Sequence, residues 1–195
     1  MLAAVILSGG ASQRMGSPKA LLPYHRRPFL EHLLQITTHP QIGVRRVVLG
    51  AHAELISKAV QLREEEIVIN EHWEQGQLRS IHAALGTLPP ETDGMLLCLI
   101  DHPLISATLV NELIEAFYKR GSKIVLPTYR GRRGHPVIFP AKLYGELLKA
   151  PADQGARAVV WAHPAEILEV ATSEQGCLLN LNDPETLREA IGLES

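Results

Sequence analysis

Cysteine is nearly absent from this 195-residue chain: it has Cys98 and Cys177, each in an apolar run and neither in a CxxC or CxxxxH pattern. That scarcity excludes a disulfide framework and a zinc site, and it marks both thiols as reduced core residues of a cytosolic protein. An excess of charge of one sign is missing too. The 19 Lys and Arg stand against 21 Asp and Glu, a net −2, which rules out a strongly basic nucleic-acid binder. No apolar run approaches the roughly 18 residues of a membrane span, and Met1–Leu7 is too short, and lacks the basic start, for a signal peptide. The 9 histidines form no HExxH pair and the serines no GxSxG elbow, so neither a catalytic zinc nor a serine nucleophile is nominated. With no Ser/Gly-rich linker and no internal repeat, a single domain over residues 1–195 is expected.

What is present is a rhythm. Leu2–Leu7, Val47–Leu49, Ile67–Ile69, Met95–Ile100 and Ile124–Leu126 are apolar throughout, without polar alternation. Strands buried on both faces read this way, which implies a parallel sheet covered by helices. Between them Phe29–Thr37, Glu54–Leu62, Ser80–Leu88 and Thr108–Lys119 repeat apolar residues at helical spacing. The alternation predicts a three-layer α/β/α sandwich with a mainly parallel sheet. The last third departs from it. A basic, turn-rich loop at Tyr129–Pro136 precedes a short strand Val137–Phe139 and helices Ala141–Lys149 and Asp153–Trp161. A strand near Ile167–Val170 follows, then a closing helix opened by Asp183-Pro184 as cap and first-turn proline.

The sharpest local signal is Leu7-Ser-Gly-Gly-Ala-Ser-Gln-Arg-Met-Gly-Ser-Pro-Lys19, directly after the first strand. In open α/β sheets ligands bind at the carboxyl ends of strands. Gly9, Gly10 and Gly16 let backbone N–H groups approach a phosphate, and Arg14 and Lys19 supply compensating charge. The segment is neither a P-loop nor a dinucleotide fingerprint, since GxxxxGK[ST] and GxGxxG are both absent. The plain alternative is a glycine-rich turn with two exposed cations. Asp101-His-Pro103 ends another apolar strand, a position suited to holding Mg²⁺ against a triphosphate or to capping a helix. Ser80 reads as the N-cap of its helix or as a pocket residue, and Trp73 as packing. Arg130-Gly-Arg-Arg-Gly-His-Pro136 carries three arginines in a stretch that otherwise reads as a solvated turn.

Taken together, these motifs resemble the nucleotidyltransferase superfamily, and in particular the molybdenum cofactor cytidylyl- and guanylyltransferases, along nearly the whole chain. The resemblance implies a Rossmann-like fold of the nucleotide-diphospho-sugar transferase type and an EC 2.7.7-class activity: Mg²⁺-dependent nucleotidyl transfer (Mn²⁺ as a substitute) with release of pyrophosphate. It implies catalytic roles for Arg14, Lys19 and Asp101, with Asp101 holding the metal. The nucleotide pocket it implies comprises Leu7, Ser8, Gly9, Gly10, Arg14, Gly16, Lys19, Asn70, Gly76 and Ser80. The acceptor side comprises Arg132, Arg133, His135, Arg157 and Asn180, with Arg130 in the same basic loop. Gly-His-Pro at 134–136 and Asp153-Gln-Gly-Ala-Arg157 are similar to the cytidylyl branch and favour CTP, with molybdopterin as acceptor. Ser8-Gly9-Gly10 is similar to the guanylyl branch, which keeps GTP open. His102 departs from the family's Met or Gln, and Asn180 and Asn182 stand where cytidylyl members more often have Asp. A sugar- or polyol-phosphate acceptor, or a nucleotide-binding cofactor chaperone, are the other readings. The implied partners are small molecules and a molybdoenzyme met transiently, with neither nucleic acid nor membrane, in the cytoplasm.

Overall fold

Seven consecutive residues, Leu2–Ser8, form strand β1, and every one is buried. In the computed structural model, which describes residues 1–192, this strand lies in the middle of the sheet. Continuous burial follows from layers on both sides. Leu2 and Ile6 join one apolar cluster and Val5 and Leu7 the other, as the two-residue period of a strand requires.

A hairpin of β2 (Pro23–Tyr24) and β3 (Arg27–Pro28) leads into α1 (Phe29–Ile36). Then follow β4 (Ile42–Leu49), α2 (Ala53–Ala59), β5 (Ile67–Ile69), α3 (Gln77–Leu85) and β6 (Gly94–Leu99). Helix α4 (Ala107–Arg120) is capped by Ser106, whose Oγ accepts from Leu109 N at 3.1 Å, and it stops at Gly121 with φ 63°. The chain continues through β7 (Ile124–Tyr129), β8 (Arg132–Arg133), β9 (Val137–Pro140), α5 (Tyr144–Lys149) and α6 (Arg157–Ala162). It ends in β10 (Ile167–Ala171) and α7 (Pro184–Gly192).

The main sheet runs β10-β7-β9-β6-β1-β4-β5, with β8 paired to β7. Strand β1 is parallel to both β4 and β6, β5 to β4, and β10 to β7. Only the β9 and β8 pairings are antiparallel. The three-layer, mainly parallel sandwich is therefore as expected. The chain leaves β1 toward β4 and β5, then crosses back to place β6 on the other side. Strand order reverses between β1 and β6, the switch point at which open α/β sheets open a ligand crevice beyond the strand ends.

Several boundaries differ from the sequence reading. Strand β4 starts at Ile42, five residues earlier, because parallel pairing with β1 continues past the purely apolar stretch. The Asp153–Trp161 helix begins only at Arg157, since Gly155 takes φ 61° in a turn closed by Gly155 N to Pro151 O at 2.8 Å. Helix Ala141–Lys149 opens as a 3₁₀ turn over Ala141–Leu143. Helix α3 starts at Gln77, three residues before Ser80, with Gly76 (φ 98°) at its cap. Ser80 is therefore not that cap. Asp183 does cap α7, its Oδ1 accepting from Thr186 N at 2.8 Å. Cys98 and Cys177 are free and buried, as expected. Among the described residues no helix is long and apolar enough to cross a membrane. Residues 193–195 of the expected domain lie outside the described residues.

Candidate active site

The loop after β1 is shaped by close approach. A Cβ on Gly9 would stand 3.0 Å from Ser80 Oγ, so the loop leans on the first turn of α3. Gly9 O accepts from Ala51 N at 3.1 Å and passes so near Gly50 that a Cβ there would meet it at 2.4 Å. Further on, Ser12 takes φ 51° and Gly16 φ 68°, and Lys19 N donates to Ser12 Oγ at 3.1 Å. These contacts fold the loop back so that Lys19 returns to the β1–β6 crevice.

Asp101 follows β6 on the other side of that crevice. Lys19 Nζ lies 3.8 Å from Asp101 Oδ2 and donates to Asn182 Oδ1. Asn182 is brought there because Leu181 N donates to Asp101 O at 2.7 Å, tying the segment before α7 to the end of β6. Lys19 is largely covered, with 11% of its side chain exposed, so it is not the exposed loop cation of the sequence reading. Burial lowers its pKa, Asp101 opposes that shift, and Arg14 adds to it. Ser8, Gly9, Gly10, Arg14, Lys19, Gly76, Ser80, Asp101 and Asn182 line one cleft of about 610 Å³, with Leu7 and Trp73. Among the described residues no three His, Cys, Asp or Glu side chains converge as a ready-made metal cage. One carboxylate and one amide oxygen are a donor set that Mg²⁺ or Mn²⁺ accepts when phosphates and water complete the shell, so the residues fit the implied ion.

A second cleft of about 450 Å³ adjoins the first. Gly134 and His135, followed by a cis peptide at His135–Pro136, form one wall, held by His135 N donating to Cys177 O at 2.9 Å. Asp153–Arg157 forms the other, where Arg157 Nε donates to Gln154 O at 2.9 Å. Two segments separated by one helix thus line the same cleft. Gln77, the first residue of α3, lines both clefts. Leu97 floors the second and Leu99 the first, two residues apart on one face of β6.

Not every implied residue reaches a cleft. Asn70 is buried behind the wall, its Nδ2 donating to Ser80 Oγ and its Oδ1 accepting from His72 N, both at 3.0 Å. Gly16, Arg132 and Asn180 are exposed and line neither cleft. Arg130 lies over the Tyr129 ring at 5.2 Å, in the left-handed turn of the β7–β8 hairpin. Arg133 lines the second cleft, but its guanidinium is engaged by Glu169 at 2.8 Å. Taken alone Trp73 reads as packing, though the resembling stretch lines a pocket and Trp73 does line the first cleft, and the sequence singles out neither Gln77 nor Trp161. The proximity of Trp73 to Gly76 was the available signal, whereas nothing in the local pattern marks the other two.

His102, next to Asp101 in sequence, and His135, in the wall of the second cleft, have ring centroids 4.8 Å apart. The Nδ1 atom of each is buried without a hydrogen-bond partner. Burial pushes His102 below its usual value, with Asp101 opposing and Lys19 reinforcing. It pushes His135 down to about 4. Both imidazoles are neutral at pH 7, so the pair adds polar edges beside Asp101 without adding charge.

A family model described as MobA-like NTP transferase domain matches residues 4–167. The chain is 30% identical over 169 residues to nicotine blue oxidoreductase of Paenarthrobacter nicotinovorans, across 82% of this chain and 81% of that protein. It is 28% identical over 192 residues to a probable molybdenum cofactor guanylyltransferase of Flavobacterium johnsoniae, across 96% and 95% of the two. Its structure is similar to that of Rv0371c from Mycobacterium tuberculosis H37Rv, with 26% identity and a TM-score of 0.83 over 98% of each chain. Another structure of that mycobacterial protein, matched at 23% identity and TM-score 0.74 over 98% of each chain, is described as a complex with manganese.

Proposed function

The chain belongs to the MobA-like NTP transferase domain family, a family of nucleotidyltransferases, and from that premise we propose that it transfers CMP from CTP to the phosphate of molybdopterin. The observation that carries the reading is the meeting of two clefts at Gln77, one with Lys19 and Asp101, the other with Arg157. Donor and acceptor need separate sites that touch at one point, because an in-line attack comes from the side opposite the departing group. An acceptor phosphate oxygen bonds to the α-phosphorus of CTP. The bond from that phosphorus to the bridging oxygen breaks, and its electron pair leaves with pyrophosphate.

In this reading Gly9, Gly10, Ser8 and Leu7 wrap base and triphosphate, with Gly76 and Ser80 as the facing wall. Arg14 and Lys19 hold phosphate oxygens, and the Asn182 contact fixes where the Lys19 ammonium stands. Asp101, assisted by Asn182, would hold Mg²⁺ or Mn²⁺, which when bound neutralises charge on the phosphates. His135 and Arg157 meet the acceptor. Mutual orientation and charge complementarity supply the rate, and no protein nucleophile is required. The whole chain works as one domain in the cytoplasm and hands its product to a molybdoenzyme.

The segments at 134–136 and 153–157 support CTP. Relatives named as molybdenum cofactor guanylyltransferases support a second reading, GTP as donor. Pyrophosphate release by the purified protein with Mn²⁺ or Mg²⁺ and molybdopterin, in parallel reactions with CTP or GTP at equal concentration, decides between them. Excess release from CTP is expected, and a GTP-favouring ratio transfers the assignment to guanylyl transfer. Binding of nucleotides with no pyrophosphate from either would leave a nucleotide-binding chaperone.

A further inference from the structure

Trp161 is 61% exposed, yet it lines the mouth of the second cleft. The floor of that cleft is apolar, made of Leu97, Leu126, Val137 and Phe139. The Arg157 guanidinium lies 5.9 Å from the Trp161 ring centroid, while its Nε is bonded to Gln154 O. That bond ties the 153–155 turn to the ring. The terminal nitrogens of Arg157 make no hydrogen bond, and the Asp153 carboxylate no ion pair, among the described residues. An exposed indole at the rim of an apolar slot, with a cation alongside, is a stacking surface for a flat ring. A carboxylate without a cation at the same slot suits a pair of N–H donors on the ring's edge.

We propose that Trp161 stacks on a flat heteroaromatic ring of the acceptor, that Asp153 accepts hydrogen bonds from a 2-aminopyrimidinone edge of that ring, and that Arg157 takes its anionic substituent. The proposal rests on the reading of the second cleft as the acceptor side. It adds to that reading the residues that select a pterin over an aliphatic phosphate. Stacking is tolerant of ring identity, so the ring's edge, read by Asp153, carries the selection.

The probe is pterin-6-carboxylate, followed by its own fluorescence anisotropy on the full chain. Trp161→Ala should weaken it about tenfold, the cost of losing one stacked ring, and Trp161→Phe by less than about threefold. Asp153→Asn should weaken it about fivefold. The same change should leave competition by naphthalene-2-carboxylate, a flat anion without the donor edge, unaltered. Pterin affinity of Trp161→Ala within twofold of the unmodified protein overturns the proposal. So does a loss of self-association in that variant, seen by sedimentation, with pterin affinity unchanged, since the indole would then serve contact between copies. Failure of the unmodified protein to bind pterin, while CTP with Mn²⁺ still raises its melting temperature, overturns it as well. Absence of any CTP shift alongside Trp161-dependent pterin binding would instead count against the donor reading and support this one.

Discussion

A lysine that is to meet phosphate, the role proposed for Lys19, is of limited use if its four-carbon stem is unsupported, and the Lys19 stem is supported. Its ammonium is held between the Asn182 amide oxygen and the Asp101 carboxylate, with most of the stem covered. Asn182→Ala should therefore lower turnover about tenfold through misplacement of an unchanged charge, with a smaller effect on CTP binding. A steady-state comparison of kcat and KM checks this, and an equal loss in both would deny the positioning role. Asp101→Asn keeps the shape but removes the charge. It should cost about 10³-fold in turnover, with melting within a few degrees of the unmodified protein. Near-normal turnover at limiting Mg²⁺ would take Asp101 out of the mechanism. At this scale the sequence was most informative about placement, since Arg14, Lys19 and Asp101 do come together in one cleft. It was least informative where the partner is distant, since nothing near Asn182 shows that its amide reaches Lys19.

Between elements, one contact shapes the crevice and another ties the edge of the sheet. Gly50 follows β4, and a Cβ there would stand 2.4 Å from Gly9 O and 2.6 Å from Trp73 Cβ. Gly50→Ala must push the glycine loop or the indole aside. About 2 kcal/mol of lost stability, close to 5 °C in Tm, and a raised KM for CTP are expected. An unchanged KM would separate the loop from donor binding. The second contact joins β4 to the turn before β5, where Glu66 receives Arg45 at 2.6 Å and Arg63 at 3.0 Å. Burial alone would raise the Glu66 carboxyl, but the hydrogen bonds from Arg63 and Arg45 outweigh it and hold it below the usual carboxylate range. A carboxyl lowered on folding stabilises above its unfolded pKa of about 4.3 and loses that contribution as pH falls through the folded value. Glu66→Gln should thus cost about 2 kcal/mol at pH 7. The gap to the unmodified protein should shrink from about pH 5 toward pH 3, as measured by urea unfolding across that range. The strands were legible because layers on both faces leave no polar alternation. The antiparallel insertion of β9 was not, since Val137–Phe139 is as apolar as the strands on either side of it.

Across the whole molecule the two clefts share α3 and β6 but take their charged residues from different parts of the chain, so their defects should separate. Changes in Arg14 should raise KM for CTP. Arg157→Gln should raise KM for the acceptor and its salt sensitivity, leaving CTP within about twofold. Equal weakening of both substrates would mean that Arg157 acts as a general electrostatic feature. The basic loop was read from the sequence as one cationic wall. A hairpin instead directs Arg130 onto Tyr129 and engages Arg133 with Glu169, which a run of letters cannot reveal. The joining of Lys19 to Asn182 spans 163 residues, and that distance is also an interval of time. A ribosome adding about 5–20 residues per second needs roughly ten to thirty seconds to pass from one to the other. For all of that interval the nascent chain has its glycine loop but neither the amide that holds the lysine nor, at first, the carboxylate beside it. On the proposed function, an unfinished chain, or one cut short before residue 182, should therefore be a poor trap for nucleotide and metal, with competence for transfer arriving only once Asn182 is in place.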